Sequence, residues 1–583
     1  MKEFFLGNEL IALGAISAGA RAVYSYPGTP ASEILASFMK YAPDRYAQWS
    51  VNEKVALEIA AGEAICGNFV LCAMKQVGLN VAADPLFSTA YTGVEGALVI
   101  VSADDPGPHS SQTEQDSRMY AMAAQIPVFD PCNPVDAYRL VRKAFSVSHE
   151  FEIPVLFRPV MRVCHSRQNF DAEDMETADP TIMFNRDPGR WAATPHYRAV
   201  LHDELLKKLD AIALAEYAGR DVPGANRLAV VTSGYPDSIV RDVQREIRLP
   251  VDIIPIDMPY PIAADYIRRI EDAYERVLVL EETFPVIENQ FTDRRRVSGK
   301  SDGTVQSLGE ITADDVERSL SAFVKTGAPS RAHVALDAPP PAKPRLCAGC
   351  GHRPAFYAIR KAAPGGIYPG DIGCYTLGVN LNAVDSCLCM GASITLAEGI
   401  RRANPAKTVI ATIGDSTFFH SGLPALVNMR MNNSDIVVCI LDNATTAMTG
   451  FQPVPHEVSD ISIEGLVKGI GIQFIRSCDP YRLGASIELV KEAMQFSKAN
   501  STPSVIIFRH PCITHGENMV KKRVAVLDSC RNCAICYRQF ECPAIYEDRA
   551  ANVARIDAAA CCECGVCIDV CPFGSIVEAG DND

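Results

Sequence analysis

The sequence predicts a multidomain α/β protein: three units built on parallel sheets with helices on both faces, then a small cysteine-rich module. Three observations predict it. Short apolar, β-branched runs alternate with helical periodicity along most of the chain. The 583 residues, 48% of them hydrophobic, supply material for several cores. Nine of the 21 cysteines lie beyond residue 529, in two regularly spaced runs. The net charge of -15 argues against nucleic acid and against an anionic membrane surface as partner. Clustered cysteines speak for metal and a reducing compartment rather than a disulfide scaffold. Glu3 and Glu9 interrupt the apolar stretch that a signal peptide needs. No run of about 18 apolar residues occurs, so no membrane-spanning helix is expected. The expectation is a cytoplasmic, oxygen-sensitive protein.

Taken in order, residues 8–20 carry helical periodicity through Leu10, Ile11, Leu13 and Ile16. Residues 22–26 read as a short buried strand, Pro27-Gly28-Thr29-Pro30 as a turn, and 31–39 as a helix. Strands follow at 98–102 and 154–158, with a polar loop over 104–114 between them. In such sheets, loops at the carboxyl ends of strands are where ligands bind. From about 170 to 226 the pattern weakens, with mixed charge and few apolar runs, and reads as a connecting segment. A second α/β unit has strands at 228–232, 251–255 and 276–280, the last ending in Glu281-Glu282. Ala338-Pro-Pro-Pro-Ala-Lys-Pro344 should be an extended linker. A third unit has strands at 408–413, 435–441 and 504–508.

The tail carries the sharpest motif. Cys530, Cys533, Cys536 and Cys542-Pro form one run, and Cys561, Cys564, Cys567 and Cys571-Pro a second. This is the spacing of two-cluster bacterial ferredoxins, in which the fourth cysteine of each run ligates the other cluster. Three close thiolates wrap one cube, and the Cys-Pro turn sends the fourth to its neighbour. Cys530, Cys533, Cys536 and Cys571 are therefore expected on one [4Fe-4S] cluster. Cys561, Cys564, Cys567 and Cys542 are expected on the other. Zinc is the rival reading of C-x2-C pairs; two interlocked runs ending in Cys-Pro count against it. Cys562 is a further, adjacent thiol without an assigned role.

In the third unit, Gly414-Asp415-Ser416 directly follows a strand, and Asn443, followed by Thr445, directly follows the next one. This is the magnesium-diphosphate pattern of thiamine diphosphate enzymes, with Ser416 where Gly is commonest. Mg2+ takes octahedral oxygen ligands, one or two from protein and the rest from phosphate and water. Asp415 and Asn443 supply side-chain oxygens, the Thr445 carbonyl is a plausible third ligand, and Gly414 would let the backbone approach the diphosphate. The bland alternative is a common turn and a helix cap. The same chemistry needs a carboxylate against the aminopyrimidine ring. Glu53 opens a small-residue helix in the first unit and is the candidate, with Glu58 competing; a first-turn Glu is also favoured by the helix dipole alone. A third cysteine group comprises Cys347, Cys350, Cys374 and Cys512. It could hold another [4Fe-4S] cluster, structural zinc or a redox pair, with Cys387 and Cys389 as alternative members. Cys66, Cys72, Cys132, Cys164 and Cys439 lie in apolar segments and read as packing residues.

Five stretches carry a family resemblance: 26–33 (YPGTPASE), 49–54 (WSVNEK), 103–106 with 109–112 (ADDP, HSSQ), 370–378 (GDIGCYTLG) and 442–450 (DNATTAMTG). Together they resemble the alpha subunits of the indolepyruvate branch of the 2-oxoacid:ferredoxin oxidoreductases, over nearly the whole chain. The resemblance implies a pyrimidine-binding thiamine diphosphate domain over 1–180 and a connection over 181–226. It implies a transketolase-C-like domain over 227–326, a Pro-rich linker over 327–345, a diphosphate- and magnesium-binding domain over 346–520, and the ferredoxin domain over 521–583. It aligns Glu53 with the ring-activating Glu, puts Thr29 in a loop near substrate and thiazolium, and matches Cys347, Cys350, Cys374 and Cys512 to a proximal cluster. The implied reaction is oxidative decarboxylation of an arylpyruvate or other 2-oxoacid. Coenzyme A takes the acyl group, and electrons pass singly through the clusters to ferredoxin. A beta subunit carrying the gamma-like domain is implied, in an α2β2 assembly. His420, beside Phe418 and Phe419, is a candidate for contact near the reacting centre; core packing is the alternative for that trio. Two rival functions are a non-oxidative thiamine-dependent decarboxylase with a fused ferredoxin module, and an electron-transfer subunit with a vestigial thiamine site. No Gly-x-Gly-x-x-Gly follows a strand, which counts against direct nicotinamide binding.

Overall fold

A computed structural model describes residues 3–171, 182–192, 194–325, 343–515 and 521–579. The chain divides into two compact units, Met1–Leu336 and Asp337–Asp583. The expected Pro-rich linker falls outside the described residues over most of its length.

The first unit holds a six-stranded, all-parallel sheet. Its order across the sheet is Tyr46–Trp49, Ala22–Ser25, Phe69–Lys75, Ala97–Ala103, Val155–Phe157, Val128–Phe129. Every residue of Phe69–Lys75 and of Ala97–Ala103 is buried. That explains their unbroken apolar character: a central parallel strand is covered on both faces. Tyr46–Trp49 lies at the sheet edge and is partly exposed, so its polar-apolar mixture gives a weak strand signal. The helix Gly7–Ser17 is buried almost all round and packs along Pro134–Glu150. A helix apolar on every side is what a position inside a core requires.

Within the segment expected as a connection runs a 23-residue helix, Pro195–Tyr217. Leu201, Leu205, Leu209, Ile212 and Tyr217 form its buried stripe, and Leu205, Ile212 and Tyr217 join the main core of the unit. The helical spacing of these five residues was present in the sequence, masked by the charges between them. A second sheet, of four parallel strands, follows in the order Asp252–Pro255, Leu228–Thr232, Arg276–Leu280, Val297–Ser298.

Two buried guanidiniums tie the loops of these two sheets. Arg118 pairs with Asp116 at 2.7 Å and Glu281 at 3.0 Å. Arg158 pairs with Asp104 at 2.7 Å and Asp130 at 3.3 Å. Burial pushes the Asp130 and Glu281 carboxyls up, against the pull of the guanidiniums, and pushes Glu282 up to about 7.

The second unit is organised on a four-stranded parallel sheet, in the order Ile410–Gly414, Val437–Asp442, Ser504–Arg509, Phe474–Cys478. Separate apolar clusters contain Ile410, Val437 and Phe508 in one and Val438, Ile440 and Ile507 in the other, as strand alternation dictates. The tail adds two antiparallel ribbons, Val524–Val526 with Ile576–Glu578 and Ile545–Asp548 with Val553–Ile556. Among the described residues, no helix is long and apolar enough to cross a membrane.

Replacing Arg158 by Met is expected to destabilise the first unit by about 3–5 kcal/mol, because Asp104 would lose its buried cation and Asp130 would keep only the more distant Arg118, at 3.8 Å. A fall in the chemical-denaturation midpoint of that unit is the measurement; an unchanged midpoint would refute the anchoring role.

Candidate active site

In the first unit the polar residues gather at the carboxyl end of the six-stranded sheet. The chain leaves Ala22–Ser25 for a neighbour on one side, then returns to Phe69–Lys75 on the other. The carboxyl ends of that strand pair are the topological switch point, where open α/β sheets bind ligands. Asn52 caps the helix Glu53–Ile65 by accepting from Val55 N at 2.9 Å. This cap sets Glu53 at the first turn, 5% exposed. Its carboxyl lies over Gly78, where an added Cβ would stand 2.5 Å from Glu53 Oε1. Glu58 has a 48% exposed side chain and pairs with Lys54. Thr29 precedes a cis peptide bond to Pro30, and its carbonyl accepts from Ser110 Oγ at 3.4 Å.

In the second unit Asp415 follows the strand Ile410–Gly414, and Asp442 ends its neighbour. Asp415 accepts from Ser416 N at 2.8 Å and Ala444 N at 2.9 Å, so it spans both strand ends. Burial, and then the Asp442 charge, push its carboxyl up to about 7. Asp442 behaves differently. Burial raises it too, but His456 at 3.0 Å and Arg509 at 2.7 Å outweigh that and hold it below the ordinary carboxylate value. Donor atoms of Asp415, Asp442 and His456 lie within 4.8 Å of one another. Asp442 and His456 were missed as site residues. Asp442 stands immediately before Asn443, and adjacency to that motif was the available signal; His456, beyond the following loop, had none.

Thr446 Oγ1 donates to Ser416 Oγ at 3.1 Å, and Thr445 Oγ1 donates to the Gln452 carbonyl at 3.3 Å. The Asn443 carbonyl accepts from Cys512 N at 3.2 Å, joining the oxygen-rich strand end to the third cysteine group. Gly414 has a reason of its own: a Cβ there would stand 2.1 Å from the Tyr375 ring. Its small size is thus required by a neighbouring side chain, whatever approaches from outside. His420 lies on a π-helical turn, Phe418–Gly422, with its Nδ1 bonded to Ser421 Oγ. Phe418 and Phe419 belong to the apolar core, and Phe419 stacks on His456 with ring centroids 5.7 Å apart.

The cysteines of this unit gather in three groups. Cys350 and Cys374 have thiols raised to about 12 and about 11, mainly by burial. Cys374 and Cys347 add charge at Cys350, and Cys512 and Cys347 at Cys374. Cys387 instead faces Thr376 Oγ1 at 3.8 Å and Cys389 is exposed. In the tail, Cys536 is raised to about 11 by burial, with Cys533, Cys530 and Cys571 as its charged neighbours. Around Cys567 the corresponding neighbours are Cys564, Cys542 and Cys561. This last group lines a small cavity whose other walls include Cys350, Arg353, Tyr481 and Cys562. The Cys562 thiol donates to Cys564 and holds that thiol down at about 6. Of the cysteines read as packing residues, Cys72, Cys164 and Cys439 are fully buried, while Cys66 and Cys132 are half-buried.

Comparison with known proteins defines the class first. Residues 13–198 match the family described as "Pyruvate flavodoxin/ferredoxin oxidoreductase, thiamine diP-bdg". Residues 371–508 match "Thiamine pyrophosphate enzyme, C-terminal TPP binding domain". The protein is a thiamine diphosphate-dependent 2-oxoacid oxidoreductase. At closer range, it is 37% identical to the indolepyruvate oxidoreductase subunit IorA of Methanothermobacter thermautotrophicus, over 99% of this chain and 98% of that one. The Methanothermobacter marburgensis IorA is 36% identical, over 99% and 97%. The Thermococcus kodakarensis IorA is 34% identical, over 98% and 96%. The chain belongs to the indolepyruvate oxidoreductase subunit IorA family, in agreement with the resemblance read from its motifs. A solved 2-oxoglutarate:ferredoxin oxidoreductase from Magnetococcus marinus aligns over 55% of this chain and 65% of its own, at 14% identity and a TM-score of 0.46.

Proposed function

We propose that this chain is the catalytic alpha subunit of an arylpyruvate:ferredoxin oxidoreductase, with indolepyruvate the type substrate. It would convert a 2-oxoacid and coenzyme A to acyl-CoA and CO2 and pass the electrons to ferredoxin. The observation that carries this reading is the cavity ringed by Cys542, Cys561, Cys564 and Cys567 abutting the Cys347–Cys350 loop, within the unit that holds Asp415 and Asn443. Bound thiamine diphosphate supplies a nucleophilic carbon and an electron sink for decarboxylation. The protein's part is positioning. Glu53, buried and fixed by the Asn52 cap and Gly78, would set its carboxyl group against the aminopyrimidine ring. Asp415, Asn443 and the Thr445 carbonyl hold Mg2+, with Gly414 and Ser416 beside the diphosphate. The oxygen donors suit that ion, and Asp415 is a buried carboxyl whose raised value a cation would relieve. Thr29 would lie near the substrate and thiazolium, and His420 would make a polar contact near the reacting centre.

Two [4Fe-4S] clusters would be held by Cys530, Cys533, Cys536 and Cys571, and by Cys561, Cys564, Cys567 and Cys542. Cys347, Cys350, Cys374 and Cys512 would hold a third. The partition into a pyrimidine domain, a transketolase-C-like domain, a diphosphate domain and a ferredoxin domain is proposed with these roles. So are a beta subunit with the gamma-like domain, an α2β2 assembly and a cytoplasmic location.

Glu53→Gln is expected to abolish cluster reduction driven by a 2-oxoacid while leaving the iron content intact; full activity would sink the role given to Glu53. Anaerobically purified protein should carry about twelve irons per chain at four per cube, and about eight would leave the third site empty. A proton on Asp415 competes with Mg2+ below its raised value of about 7. The apparent Mg2+ affinity should therefore climb about tenfold per pH unit up to that point and level off above it. Mg2+ titrations across that range provide the check, and a flat profile would remove Asp415 from the ligand set.

A further inference from the structure

Lys75 is the last residue of the strand Phe69–Lys75, at the switch point of the six-stranded sheet. It is 9% exposed. Its Nζ donates to the Ser110 carbonyl at 2.7 Å and to Ser110 Oγ at 3.2 Å. An ammonium has three donors, and among the described residues the third has no acceptor and no carboxylate pairs with it. Asp105 is the nearest charge to act on it, but the Asp105 oxygens are taken by Ser110 N at 2.9 Å, Ser111 Oγ at 2.8 Å and His109 N at 3.1 Å. Burial accordingly pushes Lys75 down to about 8.

A buried charge resting on neutral oxygens is costly unless something of opposite sign joins it. The surroundings fit an anion that arrives from outside. Gly28, in the turn that carries Thr29, lies against the Lys75 stem, where an added Cβ would stand 2.9 Å from Lys75 Cβ. Ser110 touches both Lys75 and Thr29. Three residues further along, Gly78 lies under Glu53. Lys75 is thus the cation at a strand end bordered by the Thr29 turn, the Ser110 loop and the Glu53 helix.

We propose that Lys75 is the anion-binding residue that receives the carboxylate of the 2-oxoacid substrate. The inference rests on the 2-oxoacid reading above and adds the group that recognises the acid. The carboxylate is present in the ground state and departs as CO2, so a cation on it contributes to binding and not to the chemical step. Losing Lys75 should therefore show in KM and in substrate affinity, with kcat not reduced.

The test uses the full enzyme, purified anaerobically, with phenylpyruvate as probe and Lys75→Gln as the main variant. Gln keeps an N–H donor and removes the charge, on a side chain one bond shorter. The Kd for phenylpyruvate should weaken by about thirtyfold or more, and Lys75→Arg should stay within about threefold of wild type. Binding of neutral phenylacetaldehyde should not change between the three proteins. Equal Kd values for phenylpyruvate in wild type and Lys75→Gln, or no binding to wild type, would overturn the proposal. So would a Lys75→Gln variant that loses affinity for thiamine diphosphate while keeping phenylpyruvate, since the anion would then be a phosphate. Lys75→Met serves as a second neutral variant should Lys75→Gln lose its circular dichroism signature. If wild type binds phenylpyruvate through Lys75 yet never reduces its clusters with it, the redox reading fails while the assignment of Lys75 stands.

Discussion

One buried guanidinium fixes how the cysteines of the second unit meet. Arg353 is inaccessible to water and donates to the Leu346 carbonyl on one side and to the Phe540 carbonyl, at 3.1 Å, and the Glu541 carbonyl on the other. It thus binds the loop that carries Cys347 and Cys350 to the turn that delivers Cys542. Three backbone oxygens held by one planar fork leave that loop little freedom to slide. The Cys350 and Cys542 sulfurs both raise the proton affinity of Arg353, against burial, which lowers it. In the proposed electron path a fixed cation sits between two groups of thiolates, where it offsets the negative charge those ligands bring, one of the levers that sets cluster potentials.

The first unit shows the same economy with charge. Arg158 and Ser117 hold Asp104 deep in the core. Asp105, the next residue and equally buried, gathers the backbone of His109 and Ser110. Ser110 then roofs Lys75. A buried ion pair is weak evidence for stability on its own. Here its consequence is positional: it decides where the loop after Ala97–Ala103 starts, and so what stands over the end of the neighbouring strand.

Much of the architecture was legible because buried parallel strands write themselves as apolar runs. Leu228–Thr232 and Arg276–Leu280 have the bounds their sequence predicts. The edge strands Tyr46–Trp49 and Phe474–Cys478 were not legible, since a half-exposed strand carries polar residues and loses contrast. The helix Pro195–Tyr217 hid for a related reason, its stripe diluted by Lys and Asp. Local spacing grouped the tail cysteines because each run spans few residues. Lys75 stayed invisible: what surrounds it, two oxygens of Ser110 and, among the described residues, no paired carboxylate, is set by the fold.

Asp442 gives the clearest case of a residue whose role spacing could not assign. Two carboxyls stand at the ends of paired strands, Asp415 after Gly414 and Asp442 after Leu441, and Gly414 pairs with Leu441 in register. By sequence they are equivalent acids. The fold separates them by their company. Arg509 and His456 both face Asp442, and Arg509 in turn pairs with Glu464 at 2.9 Å, so Asp442 is neutralised inside the protein. Asp415 receives two backbone N–H groups, and the nearest cationic nitrogen, His456 Nε2, is 4.0 Å away. Backbone donors orient a carboxylate without discharging it. A buried acid in that position takes up either a proton or an external cation. The protein's own cations are spent on Asp442, and that leaves Asp415 as the acid of the pair free to meet a metal.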